Sequence, residues 1–393
     1  MKNLMELKKM IDASIIEFEP ILLYTSKYIY DNPELSFVEI KASTMLSQVL
    51  QDNGFLVNLG VGDLNTAFTA TFSYGKGKTN IGIIAEYDAL PNLGHGCGHN
   101  LIAASALGAA LCLKEVMENE GIDGKLTVIG TPAEENGGGK IILIEKGIFE
   151  DIDACIMMHP TSGISRIAGP CLSSHEIKIN WYGKTAHAES HPEEGINALD
   201  AMHIFYTSIA CLRQQLPSDV RIAQIVTGGG ISEAMIPDNA GVSIDVVSKD
   251  KNLEEVVEKI LKCAHGAAIA TGCTFNVEHK TGYLGRVNNH VMDEIFRNNF
   301  EIIGELIQAG TPEDFGTTDF GNVTRIMPCC NPYVSLLTEE KISNHTQQFK
   351  ELAISKRSED VIRISSKVLA YSVLDLFMCE DTMTAAKKEV SYV

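Results

Sequence analysis

The sequence predicts an α/β protein. Its main domain, residues 1–172 and 284–393, holds a mostly parallel sheet, and an α+β ferredoxin-like domain is inserted at 173–283. Three observations carry this reading. The chain has 393 residues, more than one hydrophobic core usually organises. Up to residue 172, apolar strands alternate with helices, as in parallel sheets covered on both faces. From 173 the order changes to β-α-β-β-α-β, the split ferredoxin-like pattern.

The elements follow in order. Residues 4–30 carry helix-spaced Leu4, Leu7, Ile11 and Ile15, and Asn32-Pro33 breaks the segment. A second helix at 38–53 ends in Asn53-Gly54. TAFTATFSY and NIGIIAEY are β-rich, and 100–118 is an Ala/Leu-rich helix. KLTVIGTPA reads as a strand, GGKIILIEKGIF as a helix and DACIMMHP as a strand. In the insertion, SSHEIKINWYG, IAQIVTGGG, NAGVSIDVVSK and CTFNVEHK are strands, and 194–215 and 252–271 are helices. The α/β pattern resumes near 284, with a strand in NVTRIMP and a helix at 357–378.

Composition narrows the function classes. The chain is 45% hydrophobic and 21% charged. Its formal charge of −19 argues against nucleic acid or an anionic membrane surface as partner, since both need clustered Lys and Arg. The ten cysteines form no disulfide framework, and several sit in apolar runs as small hydrophobes. The first residues show no signal-peptide pattern, and no apolar run reads as membrane-spanning, so a cytoplasmic protein is expected.

Three motifs share one address, the carboxyl end of an apolar strand. IGIIAEYDALP runs into GHGCGHN, LTVIGTPAEEN carries Glu134 and Glu135, and ACIMMHP ends at His159. Ligands bind along that edge in open α/β sheets. A fourth motif, SNHTQQF, brings His345 from a polar segment. Cys97 and His99 stand just before a helix, where the dipole favours a thiolate. Mixed sulfur, nitrogen and oxygen donors suit zinc or manganese. The five donors Cys97, His99, Glu135, His159 and His345 exceed one tetrahedral shell, and they fit two divalent ions if the Cys97 thiolate bridges. Glu134 would face the attacking water as general base, and Asp88 would orient a ligand imidazole. His95 reads as lining the site, and His175, His191, His203, His265, His279 and His290 as structural. Each motif alone has an ordinary structural explanation, and their convergence on one sheet edge is what points to chemistry.

At these residues the chain resembles peptidase family M20, the binuclear metallopeptidases of the aminoacylase and carboxypeptidase type. It is most similar to the amidohydrolase branch, which includes hippurate, auxin-conjugate and aminobenzoyl-glutamate hydrolases and an aminoacylase-like group with dipeptidase activity. NPELSFVEIKASTMLSQVLQDNGF, AEYDALPNLGHGCGHN, TPAEENGGGKIILIEKGIFEDIDACIMMHP, YGKTAHAES, GINALDAM, TTDFGNVT and NHT carry the resemblance. It implies a catalytic domain with an inserted lid through which the chain forms a homodimer, with a tetramer as the alternative. It implies Cys97, His99, Glu135, His159 and His345 as metal ligands, Glu134 as acid/base and His187 as an oxyanion donor reaching a partner's site.

The lid departs from the family. Ala234 stands where Asn is usual, and no Arg occurs near Val246 or Val247 to grip a substrate carboxylate. A lid His is replaced at Ala223 or Gln224, and the residues after His345 read Thr-Gln-Gln. The expected activity is hydrolysis of an amide C–N bond in a small molecule such as a dipeptide, an N-acyl amino acid or an aminobenzoyl-glutamate-like compound. The alternatives are an aminohydrolase or amidase acting on a substrate without a free α-carboxylate, and a non-catalytic binding or assembly protein that keeps the fold.

Overall fold

The computed structural model describes residues 2–280, 282–337 and 339–390. It divides into two compact units, one of residues 1–170, 286–314 and 318–393 and one of 171–285 with 315–317.

The first unit opens with α1 (Leu4–Asp31), whose Asn3 cap and Glu6 satisfy each other's backbone groups in a capping box. Then follow α2 (Ile40–Asp52), β1 (Leu56–Leu59), β2 (Phe68–Tyr74), β3 (Asn80–Glu86) and α3 (His99–Glu120). β4 (Gly124–Thr131), α4 (Gly139–Glu145), β5 (Ala154–Ile156), β6 (His159–Thr161) and β7 (Arg166–Ile167) complete its N-terminal part. The main sheet also takes in β12 (Cys329–Cys330), giving the order β1-β2-β4-β3-β5-β12. β4, β3, β5 and β12 pair in parallel, whereas β1 and β2 are antiparallel additions at one edge. The parallel strands end on a common edge, and that edge positions the site.

Helix α3 is buried on nearly every side, packed against α1, β3 and α10 (Lys356–Met378). It is long and apolar enough to cross a membrane by length and composition, contrary to the expectation from sequence. Of its most apolar window, 89% is buried inside the unit, and a helix apolar on all sides is what a core position demands.

The second unit contains β8 (Ser173–Tyr182), α5 (Ala198–Leu212), β9 (Arg221–Gly228), β10 (Asn239–Ser248), α6 (Asp250–Thr271) and β11 (Thr274–Lys280). Its sheet runs β11-β8-β10-β9 with antiparallel pairings, the split ferredoxin-like order. Ile177, Ile179, Trp181, Val242, Ile244 and Val246 pack with α5 and α6 in a separate core. The period of two on β8 and β10 is the signature of a sheet buried on one face.

Chain return brings α7 (His290–Ile303), α8 (Phe320–Val323), β13 (Pro332–Ser335), α9 (Gln347–Leu352) and α11 (Glu380–Val390). The strand expected in NVTRIMP is not formed. Helix α8 and a turn occupy that stretch, and the paired residues come just after it at Cys329–Cys330 and Pro332–Ser335. Tertiary context overrides β-propensity here: Asp319, which precedes α8, is held in both carboxylate oxygens by Lys140.

Candidate metal centre

Every expected metal ligand lies in the first unit. The three parallel strands deliver three of the segments: β3 leads to Asp88, β4 to Glu134 and Glu135, and β5 to His159. Cys97 and His99 flank Gly98, the cap of α3, which has a left-handed φ of 81°. A Cβ at Gly98 would lie 2.6 Å from the Pro160 ring, so glycine permits both the turn and the close approach of the His159 segment. His345 is brought in by its own backbone N–H, which donates to the Gly96 carbonyl at 2.9 Å.

The donor atoms converge. Those of Cys97, His99 and His159 lie within 4.8 Å of one another, and so do those of Cys97, Glu135 and His345. Cys97 therefore belongs to both groups, at the place a bridging donor would occupy. Glu135 spans them as well: one carboxylate oxygen is 3.8 Å from His99 Nε2 and the other 3.3 Å from His345 Nε2.

Hydrogen bonds around the imidazoles turn the same nitrogen inward in each case. His99 Nδ1 donates to the Asp88 carbonyl at 2.9 Å and its carboxylate at 3.0 Å, leaving Nε2 to face the cluster. His159 Nδ1 donates to the Pro160 carbonyl at 2.7 Å, and its Nε2 is 3.6 Å from Cys97 Sγ. This is the outer hydrogen bonding that fixes tautomers of ligating histidines. Asp88 also accepts from the Glu135 backbone N–H at 3.0 Å and from Ser36 at 3.1 Å, so one carboxylate ties two donor segments together.

The electrostatics are those of a buried charge cluster. Burial, with the Glu135 carboxylate, pushes the Cys97 thiol up to about 12. Without a cation, burial opposes the thiolate that the start of the helix favours. Burial also raises Glu134 well above its usual range, helped by Glu86, Glu135 and Asp319, and it raises Glu135. It lowers His159 to about 4. At His99 burial opposes the imidazolium, but the Asp88 hydrogen bond and Cys97 outweigh it and raise the pKa.

These residues fit divalent ions. His99 Nε2 and Glu135 Oε1 are buried and make no hydrogen bond, and a cation would satisfy both together. Soft sulfur, imidazole nitrogen and carboxylate oxygen form a donor set for a transition metal.

Other expectations resolve individually. His95 is buried, with Nε2 3.0 Å from the Ile29 carbonyl, and burial lowers it to about 3. His187 lies in the second unit, exposed, and its Nδ1 accepts from the backbone N–H groups of Glu189 and Ser190 at 3.3 and 3.2 Å. A neutral His187 therefore carries its proton on Nε2. Val246 is buried toward α5 and α6, whereas Asp245 is exposed on the other face of the sheet.

Sequence reasoning gave no role to a neighbouring group of Glu86, Lys140 and Asp319. All three stand in segments that carry the family resemblance, but nothing local marks Lys140 as buried, since a lysine at a helix start is ordinarily solvated.

A profile of peptidase family M20/M25/M40 matches residues 82–370. The mouse Xaa-Arg dipeptidase is 34% identical over 93% of this chain and 87% of its own length. One of the p-aminobenzoyl-glutamate hydrolase subunits of Escherichia coli is 30% identical over 72% of this chain and 62% of its own length. A dinuclear metal-binding peptidase of Bacillus subtilis shares the fold, with a TM-score of 0.71 at 21% identity over 92% of this chain and 99% of that one.

Proposed function

This chain belongs to peptidase family M20/M25/M40, and on that premise we propose that it hydrolyses the amide bond of a dipeptide whose C-terminal residue is basic. The observation that carries the reading is the pair of unsatisfied buried donors, His99 Nε2 and Glu135 Oε1, in a cluster where Cys97 is common to two ligand groups. Cys97, His99, Glu135, His159 and His345 would hold two divalent ions, zinc or manganese. When bound, such ions supply Lewis acidity that polarises a carbonyl and acidifies water.

The rest is work for the chain's own side chains. Asp88 holds His99 in one tautomer through Nδ1 and fixes the Glu135 backbone. Glu134 takes the proton of the attacking water on a carboxylate oxygen and delivers it to the departing amine. Burial and Glu86 raise its pKa, which favours holding the proton between taking it from water and passing it on. His187 donates from Nε2 to the tetrahedral oxyanion, and the lid carrying it joins two copies of the chain. The ten free thiols accord with a reducing compartment, the cytoplasm.

His187→Ala is expected to lower kcat on the order of 10²-fold, the loss typical of one oxyanion donor, with metal content unchanged. Mixed dimers of Glu134→Gln and His187→Ala subunits should regain activity, since one site then has both groups intact. Verified mixed dimers without activity would confine His187 to its own subunit or remove it from the reaction.

Preference for a basic leaving residue rests on the 34%-identical dipeptidase and on charge. The exposed face of β10 carries Asp245, paired across the sheet with Glu176, and no Arg. Ala-Arg should exceed Ala-Glu in kcat/KM by ~10-fold or more, about 1.4 kcal/mol of discrimination. Equal rates would overturn this assignment. The second reading, a substrate without a free α-carboxylate, is favoured by the missing Arg on the Asn239–Ser248 strand. Under it Ala-Arg amide would be cleaved at least as well as Ala-Arg, and a ~10-fold preference for the free acid would exclude it.

A further inference from the structure

Beside the proposed ligands lies a second group of buried charges, Glu86, Lys140 and Asp319. The side chains of Glu86 and Asp319 are buried, and each places an oxygen 2.6 Å from Lys140 Nζ. Lys140 is itself fully buried, and its backbone N–H donates to the other Asp319 oxygen at 3.0 Å. One oxygen from each of Glu86, Glu134 and Asp319 lies within 4.8 Å of the other two, close enough to share a cation. The Glu86 Oε2 atom is buried, makes no hydrogen bond and lies 3.6 Å from His99 Nε2, on the side of the proposed ligands.

The backbone fixes where the ammonium sits. Lys140 follows Gly139, where a Cβ would lie 1.9 Å from the Pro132 carbonyl oxygen. The start of α4 is therefore pressed against the segment that leads to Glu134. A lysine buried without partners would lose its proton, but here two carboxylates contact it and a third stands nearby. The balance is also informative from the other side. Remove the ammonium, and three clustered carboxylates face one another with that cation gone. Glu134 is the most exposed of the three, with 12% of its side chain accessible, and is the one with room to swing away.

We propose that the Lys140 ammonium is the built-in cation of the Glu86–Glu134–Asp319 group: it positions Glu134 for proton transfer and denies this second pocket to a metal ion. Lys140 is a positioning residue, acting through Glu86 and Asp319. The inference rests on the two-ion hydrolase reading, but half of its test is independent of turnover.

Two variants separate charge from volume. Lys140→Met keeps the length of the side chain and removes its charge. It should retain two ions per subunit and a KM within about threefold of wild type, with kcat lowered by about 10²-fold. Lys140→Ala opens the pocket. Equilibrium dialysis against manganese(II) alone should give three ions per subunit where wild type gives two, and Glu86→Gln combined with Lys140→Ala should return the count to two. An unchanged kcat in Lys140→Met, or a count of two in Lys140→Ala, would overturn the proposal. Loss of ions and thermal stability together in both variants would also overturn it, by making Lys140 a structural residue. A wild-type protein binding no ions would instead remove the two-ion reading itself.

Discussion

Glu134→Gln is expected to keep both ions and abolish turnover. The amide matches the carboxylate in size and still hydrogen-bonds, but it cannot accept the proton of the attacking water. General-base contributions are typically ~10²–10⁴-fold, and the loss should fall on kcat with little effect on KM. The neighbouring Glu135→Gln should behave differently, since Glu135 directs its two oxygens at His99 and His345: ion affinity falls first and activity follows. Steady-state kinetics with elemental analysis of both variants checks the contrast. Residual Glu134→Gln activity within about twofold of wild type would take Glu134 out of the role.

Cys97→Ala should empty both metal positions together. Cys97 is common to the group with His99 and His159 and to the group with Glu135 and His345, so removing it strips a donor from each. Outer-sphere partners of metal ligands are worth 10–100-fold in affinity, so losing a shared ligand should weaken binding of both ions by at least ~100-fold. Calorimetric titration of the metal-free protein measures this, and loss of one ion alone would show that Cys97 does not bridge. Because burial holds the thiol near 12 without metal, binding must expel its proton, and ion affinity should fall as pH falls. Titrations in two buffers of different ionisation enthalpy would report the released proton.

Much of this centre was legible because the code for it is local. An apolar strand followed by a polar residue predicts a strand end, and parallel strands place their ends on one edge. Asp88, Glu134, Glu135 and His159 needed no more than that. His345 was legible only as a histidine in a polar segment, since its position depends on the carbonyl of Gly96, far back in the chain. The burial that raises the Cys97 thiol was not legible, because a helix start can be read from sequence and burial cannot. Lys140 was invisible for the same reason: nothing local marks a lysine whose counter-ions come from β3 and from the start of α8. NVTRIMP misled because its β-branched residues favour a strand locally, whereas the contacts that hold this stretch in helix and turn come from elsewhere in the chain.

In the loop after β4, Ala133, just ahead of Glu134, has a φ of 62°, and His345 has one of 60°. Left-handed backbone at a non-glycine residue costs roughly 1–2 kcal/mol and persists only where the surroundings impose it. At Ala133 the imposing group is Glu39, a buried carboxylate that accepts from the Ala133 N–H at 2.9 Å and from Thr66 at 2.7 Å. Glu39 belongs to no ligand set, yet it keeps the Glu134–Glu135 segment in a shape the free chain would abandon. The shape of this segment is therefore open to change from a distance: a substitution at Glu39 alone could move two neighbouring acidic side chains while leaving both of them in the sequence.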